Sequence, residues 1–136
     1  MNCYLNVVNM EKQIFSDFIT KIQISSIEGQ LGIYPSHSPL LTLIKPGLLL
    51  IILNNLKKKY IYLSEGILEV QPRLITILSK TAILGEHLNY EEIIKNKNEI
   101  EEKIKQNIVL NNKKNLKTEL EQVIEKLKVI EVMKKM

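Results

Sequence analysis

Over the first two thirds of the chain, apolar and polar residues alternate in short bursts. Within 18–25, Ile22 and Ile24 stand against Lys21, Gln23 and Ser25, a period of two that turns one side of an extended segment to a core and the other to water. Further strands are predicted over 4–8, 40–44, 48–53, 59–63, 67–70, 74–78 and 81–83. Turn signals separate them: Glu28-Gly29, Pro46-Gly47, Asn54-Asn55, Glu65-Gly66 and Gln71-Pro72. Turns at such short intervals, with no helical pattern between strands, predict an antiparallel sandwich or barrel and argue against βαβ units. Leu48-Leu49-Leu50-Ile51-Ile52-Leu53 does not alternate, so this strand is expected to be buried on both faces or to lie under a partner.

The period changes near residue 86. From Tyr90 onwards there is no Gly and no Pro, and Glu and Lys dominate. Asn89 is an N-cap candidate, with Glu92 three residues on as in a capping box. Ile93, Ile100, Ile104 and Ile108 recur at helical spacing, interrupted by Lys97. Val109-Leu110-Asn111-Asn112 breaks the pattern and predicts a turn. A second helix over 112–135 places Leu116, Leu120, Val123, Leu127 and Ile130 on one narrow seam. Two helices joined so closely fold back on each other. The fold class is therefore α+β: an antiparallel β-sandwich over 1–86, then an antiparallel helical hairpin over 87–136. Burial of the seam alone does not offset the backbone entropy of ordering the hairpin, so it must dock on something else. A helix pair with one narrow stripe can exchange one packing surface for another, which makes it a candidate switch.

Between the strands lies an unusual stretch, 28–43, holding two of the five glycines and two of the four prolines. Gly29 and Gly32 open backbone angles closed to other residues, while Pro35 and Pro39 fix φ and remove two ladder donors. It reads as a shaped, rigid connection, poorly suited to a central strand.

Composition then narrows the chemistry. The net charge is +4, yet only Arg73 among 19 basic residues is an arginine. Bidentate phosphate or base recognition has almost no material, and the C-terminal lysines are interleaved with glutamates as on a solvated helix face. Lys57-Lys58-Lys59 is the single basic cluster and follows a turn, so nucleic-acid binding is not expected. The lone Cys3 cannot pair internally, which fits a packed thiol in a reducing compartment. No apolar run reaches the roughly 18–20 residues needed to span a bilayer, and no signal peptide is read, so a soluble protein is expected. His37 and His87 lack partners at metal-ligand spacing, and no nucleophile–base pair or phosphate-binding loop appears. Glu91-Glu92 and Glu99-Glu101-Glu102 are explained as solvated helix residues. An autonomous enzyme is not expected, and the remaining alternative is a nucleotide- or nucleic-acid-binding β-barrel module, which the missing arginines and scarce aromatics disfavour.

Gly29-Gln30-Leu31-Gly32-Ile33-Tyr34-Pro35-Ser36-His37-Ser38-Pro39-Leu40-Leu41-Thr42 resembles the signature of the epsilon subunit of bacterial-type F-type ATP synthases. The opening Tyr4-Leu5-Asn6-Val7-Val8-Asn9 and the run from Ile61 to Pro72 are similar to other segments of that family. The resemblance implies a non-catalytic rotor subunit that joins the gamma stalk to the membrane c-ring, peripheral on the cytoplasmic face of the bacterial inner membrane and held there only through partners. It implies that Glu28, Gly29, Gln30, Leu31 and Gly32 face the c-ring, with Gln30 where many relatives carry an acid. Tyr34, Pro35, His37, Pro39 and Leu40 are implied at the gamma-facing surface. The second helix, with Lys113, Lys114, Lys117, Lys126 and Lys128, corresponds to the segment that can reach the alpha/beta head and restrain hydrolysis. Some relatives bind ATP through an Asp and an Arg at the start of the first helix. This chain has Asn89 and Glu92 there, so no cofactor is expected, ATP included.

Overall fold

The computed structural model describes residues 2–106 and 110–135, with side chains throughout these except at 110–114. Nine strands run in order: β1 (Cys3–Val8), β2 (Gln13–Ser26), β3 (Gly29–Ile33), β4 (Leu40–Ile44), β5 (Gly47–Leu53), β6 (Lys58–Leu63), β7 (Gly66–Val70), β8 (Leu74–Ser79) and β9 (Ala82–Leu84). A 3₁₀ turn, Gly85–His87, leads into α1 (Tyr90–Lys105) and α2 (Leu110–Lys134). The α+β sandwich-and-hairpin fold expected from the periodicity is the one observed.

Eight strands fall where the sequence predicts them. The ninth, β3, occupies the glycine-rich part of the stretch read as a connection. It pairs along its length with β2, from Ile22 opposite Ile33 to Ser26 opposite Gly29, and has no other strand partner among the described residues. An edge position tolerates two glycines because only one side of the strand must be paired. Gly29 has φ +114°, a backbone angle that favours glycine, and it closes the tight β2–β3 turn. Both prolines of the stretch fall beyond β3, outside any ladder.

The fourteen-residue β2 begins at Gln13, five residues earlier than its alternation suggests, and serves both layers. Its first half pairs with β1 and its second half with β3 and β5, with a register shift between Ile19 and Lys21 where the strand bends. The ladder order is β1-β8-β7-β4-β2-β5-β6-β9. Pairing is antiparallel except between β1 and β8, which run parallel because the first strand lies between β2 and a strand from the far end of the sandwich. Leu5, Ile22, Leu49, Ile61, Leu68 and Ile75 are fully buried between the layers. Cys3 packs in the same core, and burial pushes its thiol pKa up.

One end of the sandwich is clasped by buried hydroxyls. Ser79 Oγ donates to the Thr81 carbonyl (2.7 Å), and the Thr81 amide donates to Ser64 Oγ (2.7 Å). Gly66 sits against β8 so closely that a Cβ there would lie 2.1 Å from the Leu78 carbonyl oxygen.

Asn89 caps α1 as expected, its side chain accepting from the Glu92 amide at 3.1 Å. The turn predicted at 109–112 is not observed at 110–112, where α2 already runs from Leu110 and Asn111 and Asn112 are helical; Ile108 and Val109 lie outside the described residues. Neither asparagine carries a break strong enough to stop a helix, since Asn costs only a fraction of what Gly or Pro would. The seam itself is observed: Ile93, Ile100, Val123 and Ile130 are buried together, with Ile104, Leu116, Leu120 and Leu127 packed around them.

Candidate functional site

The two groups of residues singled out in the sequence adjoin along β3: Gly29, Gln30, Leu31 and Gly32 belong to the strand, and Tyr34 follows its end. Glu28, Gly29 and Gln30 stand exposed at the β2–β3 turn. Gln30 Nε2 donates to Ser25 Oγ at 2.5 Å, and the Ser26 hydroxyl donates to the Gly29 carbonyl at 2.9 Å while accepting from the Glu28 amide at 3.1 Å. Leu31 turns inward and packs against the core, and Gly32 is exposed beneath the Lys21 side chain, whose Cε lies 3.5 Å from where a Cβ would be.

At the other end of β3, Tyr34 is exposed, with Lys21 Nζ 5.0 Å from its ring centroid. Pro35 and His37 are half-buried and Pro39 is exposed. The His37 ring is fixed by an Nδ1–H bond to the Ser38 carbonyl (2.6 Å), and the loop is tied to the β7–β8 turn through the Ser36 amide and the Pro72 carbonyl (2.9 Å). Leu40 packs against the core. Along this extended chain Glu28 and Tyr34 lie roughly 20 Å apart at about 3.3 Å per residue, while Gly32 is only two residues from Tyr34.

A third region went unread in the sequence. On β4 the usual pattern is inverted: Thr42 points into the core, while Leu41 and Leu43 are 69% and 52% exposed. Register carries the apolar line across the layer, since Leu43 lies opposite Ile67, Ile67 opposite Leu78 and Leu78 beside Val8. Ile67 and Leu78 are also exposed. A second line runs from Leu74 to Tyr4 and Phe18, whose rings meet edge to face at 5.1 Å. An open apolar sheet face of this kind is a candidate docking surface. The signal was legible: Leu40-Leu41-Thr42-Leu43-Ile44 lacks apolar alternation just as 48–53 does.

The opposite outer face is occupied. Leu48, Leu50 and Ile52, the outward residues of β5, are half-buried, and α2 packs against β5 and β6. This is the cover that the unbroken apolar run required. Helix α2 thus has a second working face beside its seam: Lys126, fully buried Val129 and Met133 follow one another at helical spacing. Lys126 Nζ lies 5.4 Å from the centroid of Tyr62, and Met133 Sδ fills the notch above Gly85, 2.5 Å from where a Cβ would be. Of the other lysines considered, Lys117 is exposed, Lys128 pairs with Glu125 at 3.0 Å, and the side chains of Lys113 and Lys114 lie outside the described residues.

Burial alters two groups in this seat. Desolvation, and then Glu65 and Glu125, push the Tyr62 hydroxyl up to about 12, and desolvation lowers the Lys126 pKa. Among the described residues no three His, Cys, Asp or Glu side chains gather as a metal site would need, and no helix is long and apolar enough to cross a membrane. At the start of α1, Asn89 is engaged in capping, and Glu91 and Glu92 occupy the first turn.

The chain is thus a two-layer β-sandwich with a helical hairpin seated on one outer face and an exposed apolar surface on the other. Residues 2–85 match the family model described as ATP synthase, Delta/Epsilon chain, beta-sandwich domain, and the chain belongs to that family. Solved structures repeat the architecture. A chain of the Euglena gracilis mitochondrial ATP synthase, solved by cryo-EM as OSCP/F1/c-ring in rotational state 1, superimposes with a TM-score of 0.79 at 20% identity, over 97% of this chain and 81% of that one. A chain of the Tetrahymena thermophila mitochondrial ATP synthase central stalk/c-ring structure gives 0.65 at 16% identity, over 96% and 97%.

Proposed function

We propose that this chain is a non-catalytic rotor subunit of a proton-translocating ATP synthase, held between the gamma stalk and the membrane c-ring, with its helical hairpin acting as a restraint on ATP hydrolysis. The open apolar face of β4, β7, β8 and β1 carries the reading, because such a surface on a family member of this kind needs a protein to cover it. The neighbouring structures come from a central stalk/c-ring assembly and an F1/c-ring assembly, which supports gamma and c-ring partners. Membrane association is peripheral and borne by these partners, at the cytoplasmic face of an inner membrane in a bacterial host.

Glu28, Gly29 and Gln30 form the polar tip offered to the c-ring, while the gamma stalk takes the apolar face together with Tyr34 and the neighbouring loop. Coupling here is mechanical: a stiff sandwich, gripped at two regions, passes torque without bond-making chemistry of its own. The purified chain should co-elute with the gamma subunit, and separate elution of the two overturns the assignment. ATP is not a ligand of the hairpin, since Asn89 is spent on capping and Glu92 repels phosphate. Calorimetry of the full chain with MgATP should give no heat of binding, and a micromolar dissociation constant refutes this.

A further inference from the structure

We infer that Tyr62 sets the strength with which the hairpin is held: its ring seats α2 through Lys126, while its own hydroxyl, buried without a partner, keeps that seat weak enough to release. The neighbours of Tyr62 on β6, Ile61 and Leu63, belong to the sandwich core, so strand alternation turns Tyr62 to the outer face. On an uncovered face it would be wet. It is 1% exposed, and α2 packs over β5 and β6 at this point. Its burial is therefore a consequence of docking.

The two ends of the side chain pull in opposite directions. The ring face is covered by Lys126 Nζ at 5.4 Å, an attraction that grows as water is excluded. The hydroxyl oxygen has no hydrogen-bond partner among the described residues, although hydroxyl donors and acceptors are ordinarily satisfied when buried. Lifting α2 returns it to water and recovers that loss. Burial, and then the charges of Glu65 and Glu125, oppose its ionisation, so it is buried as the neutral phenol.

Phenylalanine keeps the ring and deletes the orphan group. In the full chain carrying spin labels at Lys57→Cys and Glu131→Cys, both on exposed positions, the docked and released populations are read from inter-label distances through a urea titration. Tyr62→Phe should raise the docked-to-released ratio about tenfold, the scale of one unsatisfied buried hydroxyl. Tyr62→Leu, which deletes the hydroxyl and the aromatic face together, should lower the ratio roughly threefold relative to Tyr62→Phe. An unchanged or lowered ratio in Tyr62→Phe overturns the proposal, since it means the hydroxyl is satisfied and stabilising. Equal ratios in Tyr62→Leu and Tyr62→Phe overturn the seating role of the ring. Both measurements use the isolated chain, so their outcome is independent of whether the protein co-elutes with a gamma subunit.

Discussion

Tyr62 and Lys126 are the side chains whose ionisation folding alters most visibly at the hairpin seat. The folded chain holds the Tyr62 proton up to about pH 12, whereas an unfolded chain loses it near its ordinary value of 10.0. Its contribution is complete below pH 10 and is lost as pH rises towards 12, on the order of 2–3 kcal/mol for a shift of this size. Lys126 has the opposite sign. Its charged form is disfavoured by burial, so its cost is present at neutral pH and is relieved as pH climbs to the ordinary lysine value of 10.5. Urea midpoints at pH 9 and 11.5 should converge towards each other in Tyr62→Phe compared with the unsubstituted chain, and an equal fall in both proteins would remove Tyr62 as the cause.

At the scale of elements, β4 and α2 each carry more than one instruction. β4 buries Ile44 and Thr42 while offering Leu41 and Leu43 outward, so its core duty and its docking duty are separable by face. Leu43→Glu should leave the urea midpoint of the isolated chain within about 0.5 kcal/mol, as for most exposed substitutions. The same change should weaken co-elution with the gamma subunit by at least tenfold, because an unpaired carboxylate would be buried in the contact. Loss of stability without loss of binding would place the strand in the fold alone. In α2 the seam towards α1 was legible from the spacing of Leu116, Leu120, Val123, Leu127 and Ile130. The second face was not: Lys126, Val129 and Met133 look like one charged and two scattered apolar residues until a tyrosine and a glycine are found beneath them.

For the whole molecule, the sandwich and the hairpin divide the work. The sandwich has its own continuous core, and the contact regions proposed for the c-ring and gamma all lie on it. The hairpin has a small core of its own and depends on β5 and β6 for its second face. Deleting 88–136 should leave the assembled complex coupled and raise its ATP hydrolysis several-fold while synthesis is maintained. Equal hydrolysis with and without the hairpin would end its role as a restraint, and loss of assembly would move docking duties onto it. The deletion also uncovers Leu48, Leu50 and Tyr62, so the shortened chain should be the more prone to self-associate.

Sequence alone determined the period of each segment: two over the sandwich, helical beyond Asn89, with Asn89 as the cap. These follow from which neighbours a residue meets along its own strand or helix, and that is local. The unbroken apolar run of β5 even announced that something must cover it. What covers it was decided only in three dimensions, because strand order and the seating of α2 depend on contacts between residues far apart in the chain. The same holds for the line Leu43–Ile67–Leu78–Val8, whose members are scattered over four strands and become a surface only through register. It holds as well for β3, where two glycines argue against a strand until an edge of β2 supplies the hydrogen bonds. Pattern fixes which way a side chain can point; only packing decides whether water, core or another helix is waiting there.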